Sequence, residues 1–148
     1  MDDSEFLRIL SIEKKFKDKF VQPTINSSKR QILTDSNKND YVFDYQLGSA
    51  GNMVITIELV DAKQKWQTRL PNSLLVRVDI NSPAHMDENG NLSRNHIHMF
   101  YPSGTKVYDI SNFDENLYKD LSPFAVLIDF FKQNNIVLSN NEFIQGVI

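Results

Sequence analysis

Histidine occurs three times in this chain of 148 residues, and all three copies fall between positions 85 and 98. His96 and His98 have the two-residue spacing that places both rings on one side of a β-strand. Arg77 and Asp79 have the same spacing in an earlier apolar run. If the two runs pair, Arg77, Asp79, His96 and His98 share one wall of a sheet, and Val76, Val78, Ile97 and Met99 face the other way. Imidazole takes and gives protons near neutral pH, because its unperturbed pKa is about 6.5. Metal-independent RNA cleavage needs a base for the 2′-hydroxyl proton, an acid for the leaving 5′-oxygen and a cation for the charge growing on phosphorus. His96, His98 and Arg77 or Arg69 are suited to those three tasks, with Asp79 orienting an imidazole and raising its pKa.

Two other readings of the same residues stand beside this one. Histidines at i and i+2 can bind one metal ion, with His85 or Asp79 as a third ligand. Against that, the pair has no third ligand at a fixed short spacing, and Arg77 on the same face would repel a cation, so no metal is expected. The polar residues can also form a hydrogen-bonded sheet face with no chemistry of its own. Weaker motifs fall away. Asp87-Glu-Asn89-Gly90-Asn91 lacks the closing acid and flanking helices of a calcium loop, and Gly48-Ser-Ala-Gly51 has no following lysine for a phosphate loop. No serine has a nucleophile-elbow context.

A resemblance rests on Trp66-Gln67-Thr-Arg69, on Leu75-Val-Arg77-Val-Asp79-Ile-Asn81-x-Pro83-x-His85, on Asn89-Gly90 and on His96-x-His98-x-Phe100-Tyr101. Their order and spacing resemble an uncharacterised family of small bacterial and prophage proteins, in which the run reads approximately Q-x-R, L-x-R-L-D-I-N-G-x-P-H, N-P-D-G and H-L-H-I-Y. The resemblance spans roughly residues 40 to 135 and departs from the pattern in the loop, where Met86-Asp87-Glu88-Asn89-Gly90 replaces the usual N-P-D-G. Gln67, Arg69, His85 and Tyr101 are candidate substrate-binding residues, Gln67 and Arg69 reaching the cluster if the strand before the run 74–80 pairs with it. The layout of the second half is also distantly similar to TumE-type toxins of toxin-antitoxin modules, which implies ribonuclease-like chemistry and a cognate antitoxin.

The elements that must position these residues are legible as pattern. Apolar positions Phe6, Ile9, Ile12, Phe16 and Phe20 predict an N-terminal helix ended by Pro23, with Lys14, Lys15, Lys17 and Lys19 on its solvated face. Period-two alternation predicts strands over 29–34, 40–47, 53–59, around Trp66 to Leu70, and over 74–80, 96–101 and 106–110. Leu74, Val76, Val78 and Ile80 are the expected inward set of the fifth of these. Ser122-Pro123 followed by Phe124, Leu127, Ile128 and Phe131 predicts a C-terminal helix on the apolar sheet face. The expected fold is α+β: an N-terminal helix, a largely antiparallel sheet of six or seven strands with one polar face uncovered, and a C-terminal helix packed on the other.

Length, composition and charge set the frame. With 41% hydrophobic residues the chain is expected to form a single domain over residues 1–148. It has no cysteine, which excludes disulfides, zinc-thiolate sites and thiol nucleophiles. An acidic N-terminus and the lack of long apolar runs suggest a cytoplasmic protein without a membrane partner. A net charge of −3 excludes a wholly basic nucleic-acid footprint and permits a local one. The function expected is a ribonuclease-like toxin of a toxin-antitoxin or phage-defence module, with RNA as substrate and an antitoxin as partner. The alternative is a non-enzymatic prophage-encoded protein that inhibits a host defence complex, docking through its sheet face and the apolar Phe143 to Ile148.

Overall fold

A computed structural model describes residues 1–60, 74–83, 85, 86, 90 and 92–139, with residues 85, 86 and 92 through their backbone only. Among these, the order is α1 (Asp3–Ser11), β1 (Lys14–Phe16), β2 (Ser27–Asp35), β3 (Asp40–Leu47), β4 (Met53–Leu59), β5 (Leu74–Ile80), β6 (His85–Met86), β7 (Leu92–Ser93), β8 (His96–Tyr101), β9 (Gly104–Asp109) and α2 (Pro123–Gln133). Seven strands form an antiparallel meander, β1-β2-β3-β4-β5-β8-β9, and β6 and β7 pair apart from it. The fold is α+β, as the pattern predicts. The expected strand around Trp66 to Leu70 and the apolar Phe143 to Ile148 lie outside the described residues.

Alternation explains the core. Tyr41, Phe43, Ile55, Ile57, Val76, Val78 and Ile97 are all buried on one face of four neighbouring strands. Both helices pack there: Phe6 of α1 lies 4.8 Å from the Tyr101 ring, and Phe130 and Phe131 of α2 lie 6.0 and 5.7 Å from Phe43. A register shift between Ile57 and Glu58 breaks the alternation at the start of β5, so Leu75 is fully buried and Leu74 only partly.

The first helix is shorter than predicted. Asp2 caps it by accepting from the Glu5 N–H at 2.8 Å, and it ends at Ser11. Lys14 to Phe16 is instead a strand against Leu33 to Asp35, and Phe16 stacks edge-on to Phe43 and Phe131. Spacing by three and four cannot tell one long helix from a helix followed by a strand when pairing partners far along the chain decide the matter.

Lys14 corrects the expectation of a solvated basic face. It is fully buried, and its Nζ donates to Leu10 O at 3.0 Å, Ile12 O at 2.9 Å and Asn134 O at 2.8 Å. Those carbonyls belong to the ends of both helices, where unsatisfied oxygens and the helix dipoles favour a cation. The Lys14 N–H donates to Asn135 O and its carbonyl accepts from Val137, so β1 is flanked by the chain beyond α2.

In α2, Val126, Leu127, Phe130 and Phe131 are the buried set, a face rotated from the predicted one; Phe124 and Ile128 are half-buried. Phe131 meets Phe16, Phe20 and Phe43 at ring distances of 5.4 to 5.8 Å. Phe131→Ala should therefore cost about 3 to 5 kcal/mol of stability. A loss under about 1 kcal/mol in denaturant melts would show that this contact does not hold the helix.

Candidate functional site

The site is built on β5 and β8. Arg77 is registered opposite His98 and Asp79 opposite His96, with Val76 and Val78 opposite Met99 and Ile97. Asn81, in the left-handed region at φ 54°, ends β5, and its N–H donates to Asn95 Oδ1 at 2.8 Å. Ser82 N–H donates to Arg94 O at 2.9 Å. The two strands are thus tied together where the chain leaves for β6 and returns from β7.

On the face away from the core, Asp79 Oδ2 lies 3.0 Å from His98 Nε2 and 3.2 Å from Arg77 Nε. Arg77 Nη2 also lies 3.2 Å from His98 Nε2. One nitrogen cannot donate to the carboxylate and accept from the guanidinium at once. A proton on Nε2 gives Asp79 two donors, whereas a bare Nε2 would set a lone pair against the carboxylate. The first arrangement is the favourable one, and it makes Nδ1 the His98 nitrogen that exchanges protons. The His96 and His98 rings are 6.1 Å apart, and Phe100 stacks parallel to His98 at 6.0 Å.

Burial pushes the Asp79 carboxyl up. The His98 hydrogen bond and the charge of Arg77 outweigh it and hold the group below the usual carboxylate range. Asp109, registered opposite His96 on its other side, is raised by burial but held low by hydrogen bonds from Ser111 and Ser93 and by the nearness of His96.

The expected uncovered face is not open here. Asp79 and His98 are each 6% exposed and His96 is 0% exposed, while the Arg77 side chain keeps 37%. Neighbouring side chains supply part of the cover: the Arg77 guanidinium lies against both Asp79 and His98, and the Phe100 ring lies along His98. Alternation assigns a side of the sheet, not an exposure.

Tyr101 is not brought to this cluster. It follows the parity of Ile97 and Met99, and its ring packs on Phe6, with Lys106 Nζ 5.3 Å from the ring centre. His85 sits in β6 opposite Ser93, and its side chain lies outside the described residues. Gln67 and Arg69 lie outside them too. Phe100 is the neighbour that sequence reasoning missed; its signal was the same two-residue spacing, continued one step beyond His98.

A third metal-type donor is also present. Asp79, His96 and His98 each offer an atom within 4.8 Å of the others. Asp79, one of the two third ligands the sequence offers, comes from the adjacent strand rather than from a short spacing.

No helix among the described residues is long and apolar enough to cross a membrane. Compared with known proteins, the chain matches one family model, that of a family of unknown function, over residues 1–136. No curated protein and no solved structure matches.

Proposed function

The chain belongs to DUF6978, a family of unknown function, and we propose that it is a ribonuclease-like toxin of a bacterial toxin-antitoxin or phage-defence module. It cleaves RNA in the cytoplasm by metal-independent acid-base chemistry. The observation that carries this reading is the contact chain of carboxylate, imidazole and guanidinium, Asp79 to His98 to Arg77, at 3.0 to 3.2 Å. Asp79 fixes the His98 ring, and Nδ1 takes the 2′-hydroxyl proton. The 2′-oxygen then attacks phosphorus, Arg77 offsets the charge that develops there, and His96 returns a proton to the departing 5′-oxygen. Arg77, the exposed member, meets the phosphate first, and its displacement toward solvent uncovers His98. The toxin class is suggested by the distant likeness in layout to TumE-type toxins, and it implies a cognate antitoxin as partner.

The burial of His96 and His98 is the specific observation that favours a second reading, a non-enzymatic prophage-encoded protein that inhibits a host defence complex. Docking tolerates buried histidines; catalysis requires that they be reached. Inducible expression separates the two. Wild type should arrest growth and degrade RNA, and a folded His96→Ala/His98→Ala variant should do neither. Full toxicity of that variant, or a folded wild type that neither arrests growth nor cleaves RNA, transfers the assignment to the docking protein.

A further inference from the structure

We propose that Asp79, His96 and His98 form a reversible site for a late first-row divalent cation such as zinc, and that the bound ion switches the acid-base cluster off. The switching half rests on the ribonuclease reading above; the binding half stands on geometry alone.

The donor atoms already lie within 4.8 Å of one another, and His98 Nε2 and Asp79 Oδ2 are 3.0 Å apart. In a tetrahedral zinc site with bonds near 2.0 to 2.2 Å, neighbouring ligand atoms are about 3.3 Å apart. One pair is therefore at ligand spacing, and the third donor needs only a side-chain adjustment. The three residues sit on paired strands, with Asp79 directly opposite His96, so the backbone does not have to move to bring them together. Two imidazoles and one carboxylate make the three-ligand set of open zinc sites, and they suit zinc, cobalt or nickel rather than calcium or magnesium, which take oxygen ligands. Asp109 is registered opposite His96 on β9, so a further carboxylate lies on the strand beside that ligand.

The ion must displace groups already in place. It takes the place of the proton shared by His98 and Asp79, and of the Arg77 guanidinium that lies 3.2 Å from each. Arg77 is more than a third exposed and has solvent to swing into, so the displacement route doubles as the entry path. Once bound at His98 Nε2, the ion leaves the ring's proton on Nδ1, so that nitrogen can no longer accept the 2′-hydroxyl proton, and it drives away the cation that receives the phosphate. Metal is then an inhibitor of this centre and not its cofactor.

The test is titration of chelator-treated protein with Co2+, followed by its visible absorption, and with Zn2+ by calorimetry. One ion per chain is expected. Affinity should fall by about 100-fold or more in His98→Ala and Asp79→Asn, since loss of even an outer partner weakens such sites by 10- to 100-fold. Arg77→Ala, which removes the competitor and leaves every ligand in place, should bind more tightly. Added Zn2+ should stop RNA cleavage and a chelator should restore it. A folded wild type that binds no ion, or binding unchanged in His98→Ala and not strengthened in Arg77→Ala, overturns the site. Binding that leaves cleavage unchanged, or raises it, overturns the switch. The cobalt spectrum is read without any cleavage, so failure of the ribonuclease reading is seen separately.

Discussion

Cleavage of a single-stranded RNA should slow by about 10²- to 10⁴-fold in His98→Ala, the range for removing a general acid or base. His98 is the imidazole with a fixed ring: its Nε2 faces Asp79 at 3.0 Å, and Phe100 stacks beside it. Asp79→Asn should also slow the reaction, because an amide in place of the carboxylate no longer favours the Nε2 proton. The pH profile of the wild type should be bell-shaped, since one imidazole must be neutral while the other is charged. Asp79 is held below the ordinary carboxylate range, so it stays ionised across the acidic limb. Single-turnover rates on a fluorescent oligonucleotide between pH 5 and 9 measure this. A loss below about threefold in a folded His98→Ala variant would remove His98 from the chemistry.

Lys14→Met should destabilise the protein by about 3 to 5 kcal/mol at pH 7, as removal of one partner of a buried charged group does. The methionine fills most of the space but leaves Leu10, Ile12 and Asn134 carbonyls without their donor, each costing about 1 to 3 kcal/mol if it stays dry. Burial pushes the Lys14 ammonium down to about 8 from 10.5, with Asp35 pulling weakly the other way. Between those values the unfolded chain holds the proton and the folded chain does not, so this residue's contribution to stability is full above 10.5 and is lost as pH falls through about 8. Wild type should thus gain about 2 kcal/mol between pH 8 and 9.5 that Lys14→Met does not. Urea melts of both proteins across that window test the sign, and parallel pH curves would refute the titration.

The placement of Arg77, Asp79, His96 and His98 was legible because a strand has a period of two and one of its faces was already filled by Val76, Val78, Ile97 and Met99. The same parity argument excludes Tyr101 from that side. Burial was not legible, since part of the cover comes from Arg77 folding back over Asp79 and His98 and from Phe100 lying along His98. The two-residue strands β6 and β7 are too short to leave a period in a polar stretch. The end of α1 was misjudged because Phe16 keeps helical spacing while its neighbours pair with β2. Lys14 escaped for a related reason: a lysine among lysines looks solvated until the carbonyls that surround it are known.

The lysine's third carbonyl, on Asn134, is 120 positions away in the chain. During synthesis α1 and β1 are made well before residues 134 to 137, and the Lys14 contacts cannot close until those residues have left the ribosome. The nascent chain must therefore carry an unfinished sheet edge, with Lys14 still hydrated, until those residues emerge, and contacts this distant form late and slow folding. Any segment or partner that covered β1 in that interval would be displaced when the residues after α2 take their place beside it.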